Sequence, residues 1–233
     1  MSASARCLPS SAKRWLILCS AMPTLMLATT NTGKVAEFRA LLAPYFDPAA
    51  LTLLTPGDWP VSLPAVEETG QTFADNARLK AQALARATGV AALADDSGLC
   101  VDALGGAPGL HSARWAGPEA SDADRTALLL QKLAGLPPSL RTARFVCAVA
   151  AAFPEGTIVE AEGVCEGVIA DGPRGASGFG YDPVFLPLGC KRTLGEMTAA
   201  EKNRLSHRAQ ALSRLAPLLS PILFPVSDKK SEA

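Results

Sequence analysis

Two long β-rich segments in the middle of the chain limit the fold more than anything else in it. Arg144–Phe153 and Thr157–Ala170, studded with Val and Ile, are joined by Pro154-Glu155-Gly156, which predicts a pair of long strands meeting at a turn. On either side of them strands and helices alternate. Leu25–Thr29 is a short apolar run, expected as a buried first strand, and Asn31-Thr32-Gly33-Lys34 then opens an amphipathic helix carrying Val35, Phe38, Leu41 and Leu42. Leu51–Thr55 is expected as a second strand. Thr72–Thr88 reads as a long Ala-rich helix closed by Gly89. Val90–Ala94 is strand-like, with a turn expected at Asp95-Asp96-Ser97-Gly98 and strand resuming at Leu99–Leu104. Ser121–Leu136 and Thr198–Leu219 are expected to be helical, and Gly105–Gly109 and Gly172–Gly180 are glycine-dense loops. This order predicts an α/β fold with an elongated mixed β-sheet flanked by helices, its site in the cleft where the loops gather. A plain doubly wound sheet is the competing arrangement.

With 233 residues, 48% of them hydrophobic, the chain can bury a substantial core as one large domain or as two lobes. Its formal net charge is zero, so no global field draws it to nucleic acid or to a membrane surface. A polyanionic ligand would have to be held by local cations and backbone N–H groups. Six scattered cysteines (Cys7, Cys19, Cys100, Cys147, Cys165, Cys190) include no C-x-x-C pair, which points to reduced thiols of a cytoplasmic protein. No stretch approaches the roughly 18–20 apolar residues that span a bilayer. Residues 1–23 are basic, Ser-rich and free of acid, as in a transit peptide or a weak secretory signal; an upstream start codon, with the folded part beginning near Met22, is the reading preferred. The expected organisation is an extension over 1–23, one domain over 24–220 and a flexible tail over 221–233.

The candidate chemistry lies in five places. Thr29-Thr30-Asn31-Thr32-Gly33-Lys34 offers the unpaired N–H groups and positive dipole end of a helix start to an anion, with Lys34 as a mobile charge. It is not a Walker A loop, since no glycine stands five positions before Gly33 and Val35 replaces the usual Ser or Thr. An ordinary capped helix start is the alternative. Glu67-Glu68 and Asp95-Asp96 are two acidic pairs of the kind that magnesium uses, or else solvated surface and a turn. Lys80 falls about 20° from Phe73, within the apolar stripe of its helix, and must either snorkel outward or meet an anion. In Ser177–Pro183 the glycines flanking Phe179 allow close backbone approach to a ligand and its ring offers a stacking face, although a hairpin with core aromatics has the same pattern. Finally, Thr198 and Glu201 form a capping box. An unbroken helix from there would splay Lys202 and His207 about 140° apart. A break near Leu205 is therefore expected, with Ser206 capping a new helix that buries Ala209, Leu212, Ala216 and Leu219 and carries His207 and Arg208 in its first turn.

Taken in order, Ala28–Lys34, Glu67–Gly70, Phe73 with Asn76 and Leu79-Lys80-Ala81, Ala94–Leu99, Leu104–Gly109, Ser112-Ala113-Arg114, Gly178–Pro183, Glu201-Lys202 and Ser206-His207-Arg208 resemble the inosine triphosphate pyrophosphatase family. The resemblance implies a two-lobed α/β fold around a central cleft, usually a homodimer. It implies a magnesium-dependent enzyme that cuts ITP, dITP or XTP to the monophosphate and pyrophosphate. Thr29, Thr30, Asn31, Thr32, Gly33 and Lys34 would hold the triphosphate, and Glu67 and Asp96 the Mg2+. Asp96 would also accept the proton of the attacking water, and Lys80 would support the developing charge. Ser97, Phe179, Gly180, Tyr181, Asp182, Lys202, His207 and Arg208 would bind substrate, mostly around the base, with Arg208 among the donors to a purine 6-oxo group. Thr30 stands where many members have Gly. Rival readings are a pyrophosphatase for modified pyrimidine nucleotides and a non-catalytic triphosphate sensor.

Overall fold

A computed structural model describes residues 22–225. Nearly all of the 1–23 extension and most of the 221–233 tail lie outside the described residues. The elements are β1 (Thr24–Leu27), α1 (Thr32–Leu42), β2 (Thr52–Leu54), α2 (Phe73–Thr88), β3 (Ala91–Val101), α3 (Asp122–Lys132), β4 (Thr142–Ala152), β5 (Ile158–Ile169), β6 (Phe185–Pro187), α4 (Ala199–Lys202) and α5 (His207–Leu223), with a 3-10 helix over Gly109–Arg114 before α3. They form one six-stranded sheet in the order β2-β1-β3-β4-β5-β6. β1 runs parallel to β2 and β3, and every later pairing is antiparallel, so the sheet is mixed and the doubly wound alternative is set aside.

The local chemistry explains most boundaries. Thr72 and Asp75 cap α2 reciprocally and Gly89 ends it in the left-handed conformation (φ 72°), which glycine adopts without a Cβ penalty. Ser206 accepts from the Ala209 amide and starts α5 afresh after the short α4, so the expected break is present. α5 runs to Leu223, beyond the expected Leu219, and buries Ala211 and Leu215 beside Leu212, Ala216 and Leu219, with Ala209 only half-buried. One expectation fails outright. Asp95–Gly98 is not a turn: β3 passes straight through it, in a ten-pair ladder with β4 from Ala92↔Ala152 to Val101↔Ala143. β1 is also shorter than expected, with Ala28 and Thr29 outside it.

The long strands β3, β4 and β5 tie two lobes together. At one end, α1 and α5 pack on one face around Leu25, Leu93 and Val149, and α2 packs on the other around Met26, Ala92 and Ala150. At the far end, Leu99, Phe145, Cys165 and Ile169 gather with Leu129, Phe185 and Leu194 into a separate core. The stretch of β3 between these cores is Asp95–Gly98. Cys100, Cys147, Cys165 and Cys190 are free thiols, and no helix among the described residues is long and apolar enough to cross a membrane.

Candidate active site

β1 leaves the sheet early. Its ladder with β3 ends at Leu27↔Leu93, closed by the Ala28 amide donating to the Leu93 carbonyl at 2.8 Å. Beyond that point β3 has only β4 as a ladder partner until the isolated bridge at Cys100↔Pro108. The chain leaves β1 toward β2 and leaves β3 toward β4, on the opposite side, and ligands of open α/β sheets occupy such points of divergence. Neighbouring residues on a strand face opposite ways. Asp96 therefore joins the α2 side and Asp95 the α1/α5 side of one open edge.

On the α2 side, Lys80 Nζ lies 3.0 Å from Asp96 Oδ1 and 2.9 Å from Glu68 Oε1. Asn76, 2% exposed, donates to Asp96 Oδ2 at 3.2 Å and accepts from the Gly70 amide at 2.8 Å, so one side chain ties the acidic loop to the strand. A Cβ on Gly70 would sit 2.6 Å from Asn76 Oδ1, which explains a glycine there. Burial pushes the Asp96 carboxyl above its ordinary 3.8, with Lys80 opposing the rise and Glu68 adding to it. Burial works against the Lys80 charge, but Asp96, Asp95 and Glu68 outweigh it and hold the ammonium above its ordinary value. The result is a half-desolvated carboxylate beside an ammonium held in its charged form.

On the other side, Asp95 is 2% exposed and accepts from Lys34 Nζ at 3.1 Å, Arg208 Nη2 at 2.8 Å and Ser97 Oγ at 3.1 Å. Burial alone would raise its pKa, yet Lys34 and Arg208 hold it well below the usual carboxylate range. Glu37, on α1, binds both Arg208 and Lys202, the latter at 2.9 Å. Lys202 also meets Asp182 at 2.5 Å and stands 4.6 Å from the centroid of the Phe179 ring. Asp182 in turn accepts from the Phe179 amide at 2.9 Å, and a Cβ on Gly178 (φ 79°) would collide with that carboxylate. The Phe179 ring packs so closely on Gly33 that a Cβ there would lie 2.9 Å from Cδ1, so the phosphate-loop candidate and the aromatic loop share one wall. Lys34, Ser97, Phe179, Asp182, Lys202 and Arg208, with His207, Phe145 and Asp122, line a cavity of about 150 Å³, a size that admits an aromatic ring. His207 stacks on Phe145 at 4.8 Å, and burial, then Arg208 and Lys202, keep its imidazole neutral.

A family model described as the Ham1 family matches residues 25–218. The chain belongs to the Ham1 family. Among its relatives, a dITP/XTP pyrophosphatase of Streptomyces avermitilis is 50% identical over 87% of this chain and all of the relative. One of Geobacillus kaustophilus is 49% identical over 83% of this chain and 93% of the relative. A Ham1 protein of Coxiella burnetii superposes with a TM-score of 0.76 at 41% identity, covering 85% of this chain and 99% of that one. A nucleoside-triphosphatase, or dITP/XTP pyrophosphatase, of Mycobacterium abscessus does so with a TM-score of 0.67 at 45% identity, covering 83% and 99%. The family resemblance carried by the motifs and the mixed α/β architecture are both established by these matches.

The cleft gathers most of the expected residues and rearranges a few. Lys80 meets anions rather than snorkelling outward. Asn31 caps α1 by accepting from the Lys34 amide at 3.0 Å, and Asn31 and Lys34 line the cavity. Thr29, Thr30 and Thr32 instead line a depression on the outer side of the loop, with Arg39 and Asp58. Of the acidic pair, Glu68 reaches Lys80, whereas Glu67 is exposed and enters no ion pair among the described residues. Exposure alternates along Val66–Gly70, as in extended chain, so adjacent side chains face opposite ways. Arg208 is no free donor: both terminal nitrogens are taken by Glu37, Asp95 and Ser97, and only Nε is unpartnered. Gly180 donates its amide to Asp122 at 2.6 Å, and Tyr181 its hydroxyl to the Ser112 carbonyl at 3.0 Å, so both brace the aromatic loop. Glu37 and Asp122 had no expected role, and Asp95, expected as half of a magnesium-type acidic pair or of a turn, is instead paired with Lys34 and Arg208. Glu37 had a readable signal, since it lies about 40° from Leu41 around α1, an acid in the apolar stripe.

Proposed function

We propose that this chain is a nucleoside-triphosphate pyrophosphatase that hydrolyses purine nucleotides with a 6-oxo group (ITP, dITP, XTP) to the monophosphate and pyrophosphate. The observation that carries it is the joining, across one open strand edge, of a buried carboxylate–lysine pair and a ring-sized cavity walled by Phe179, Lys202 and the first turn of α5. The dITP/XTP pyrophosphatase names of the relatives support the same substrate class.

The base would stack on Phe179 with Lys202 above the ring. Among the described residues, two cavity-lining side chains keep a buried nitrogen without a partner, Arg208 at Nε and His207 at Nδ1, the latter a donor in one tautomer. A purine oxo group satisfies such donors and an adenine amine does not, which is how a buried polar site rejects a mismatch. The triphosphate would cross β3 past Lys34, with the first-turn amides of α1 toward its charge. Asp96, with its raised pKa, accepts the proton of the attacking water, and Lys80 steadies charge on the phosphates. The water oxygen bonds to the α-phosphorus, the bond from that phosphorus to its bridging oxygen breaks, and the electron pair departs with pyrophosphate.

The donor chemistry fits magnesium. Among the described residues no three acidic, His or Cys side chains form a metal cluster, but magnesium asks only one or two carboxylates plus phosphate oxygens and water. Asp96 and Glu68, whose oxygens already share the Lys80 ammonium, would hold it, with Glu67 one residue away. When bound it would neutralise phosphate charge and lower the pKa of water. Incubation with magnesium and ITP, dITP, XTP, GTP, ATP or dUTP, with pyrophosphate assayed, tests the proposal. Release from ITP, dITP and XTP but hardly from GTP or ATP is expected. Preference for dUTP would favour the pyrimidine reading, and no turnover of any of them the sensor.

A further inference from the structure

In the segment Ser112-Ala113-Arg114 the first two residues line the cavity while Arg114 has been given no role, and the segment is fixed more firmly than a surface turn requires. Ser112 Oγ donates to the Gly109 carbonyl at 2.6 Å and accepts from the Leu99 amide at 2.9 Å. The Ser112 carbonyl accepts from Tyr181 at 3.0 Å, and the Ala113 carbonyl from Arg125 at 3.0 Å. A Cβ on Gly98 would lie 2.3 Å from the Gly109 carbonyl, so this 3-10 helix is pressed onto β3 two residues from Asp96. Its last side chain, Arg114, is by contrast loose. It is 48% exposed, and its one ion pair, to Glu68 Oε2 at 3.6 Å, is longer than a hydrogen bond. Such a pair adds little to stability. Glu68 also meets Lys80, at 2.9 Å, so Arg114 is the more loosely held of its two cations.

We propose that Arg114 is a further catalytic residue, whose guanidinium binds the phosphates beyond the scissile bond and stabilises the departing pyrophosphate. It rests on the function proposed above. As the α-phosphorus parts from its bridging oxygen, that oxygen and the two phosphates behind it gain the electron pair. A planar guanidinium meets phosphate oxygens two at a time, where a lysine offers a point charge. The anchored backbone fixes where the side chain starts, and its weak hold on Glu68 leaves it free to exchange a carboxylate for a phosphate. Lys80 and Arg114 would then divide the work, the former beside Asp96 and the latter at the leaving group.

The test compares Arg114→Ala and Arg114→Lys with the unaltered chain. With ITP and magnesium, Arg114→Ala should lower kcat by about ten- to hundred-fold, the worth of a charge-assisted hydrogen bond. Calorimetric titration with inorganic pyrophosphate should show a similar loss of affinity. Binding of IMP and the Tm should stay unchanged, and Arg114→Lys should recover part of both losses. Unchanged kcat with unchanged pyrophosphate affinity would overturn the assignment. So would an IMP loss as large as the pyrophosphate loss, which marks a structural role. A chain that binds pyrophosphate through Arg114 but does not cleave ITP would refute the reaction and keep the site.

Discussion

Asp95 and Asp96 are adjacent in sequence and equally charged, yet replacing each by Asn should move stability in opposite directions. Asp95 has 1% side-chain exposure, and so has the Arg208 it holds. Asp95→Asn preserves shape but turns an acceptor toward two cations. Lys34, with 19% side-chain exposure, can swing to water at small cost. Arg208 cannot, although Glu37 still neutralises part of it. Removing one partner of a buried pair costs about 3–5 kcal/mol, and the remaining Glu37 contact places this case near 3 kcal/mol. For a chain of this length that is a fall in Tm of roughly 6–12 °C. The sign with pH follows from the depressed folded pKa. The carboxylate's contribution is fully present above its unfolded value of 3.8 and is lost as pH falls through the lower folded value. Asp96 is the reverse: its folded pKa is raised, so ionisation there opposes folding at neutral pH. Asp96→Asn should hold or raise the Tm while abolishing turnover. Urea titrations of both variants at neutral pH, with activity alongside, make the comparison. Asp95→Asn within about 1 kcal/mol of the unaltered chain, or Asp96→Asn as damaged as Asp95→Asn, would refute this division of roles.

Other consequences are as direct. Glu68 is one of the two carboxylates proposed to hold magnesium, so Glu68→Gln should raise the magnesium concentration needed for half-maximal turnover of ITP; an unchanged requirement counts against Glu68 as a ligand. Arg208→Ala should narrow the preference for ITP over ATP, and an unchanged ratio would remove its Nε from base reading. Gly33→Ala pushes a methyl into the Phe179 ring, and should raise KM for ITP with less effect on kcat. Neutral buried His207 must gain a proton on unfolding, so stability should fall below pH 6.5 by up to about 1.4 kcal/mol per pH unit, a slope that His207→Gln should lessen.

The sequence disclosed the fold where local chemistry and tertiary packing agree. The capping box of Thr198 and Glu201, Gly89 after α2, the hairpin strands β4 and β5 and the restart at Ser206 are local signals, and all stand in the structure. Asp95-Asp96-Ser97-Gly98 misled because its turn chemistry is real but weaker than ten strand pairs and a set of distant cations. Those cations come from Lys34 and Arg208, which lie 61 and 113 positions away from Asp95, beyond any spacing rule. Glu37 meets Arg208 across 171 positions. Its carboxylate, fixed beneath Lys202 and Arg208, became meaningful only when α1 and α5 packed on one face. Glu67 and Glu68 are indistinguishable as letters. The pleat of one extended loop decides which of them reaches Lys80.

The proposed chemistry stands on attack at the α-phosphorus beside Asp96, and turnover of ITP in oxygen-18 water reads that directly. One label in the phosphate of IMP and none in pyrophosphate is expected, with no label entering either product in Asp96→Asn. Label in pyrophosphate, or release of IDP and orthophosphate, would contradict it.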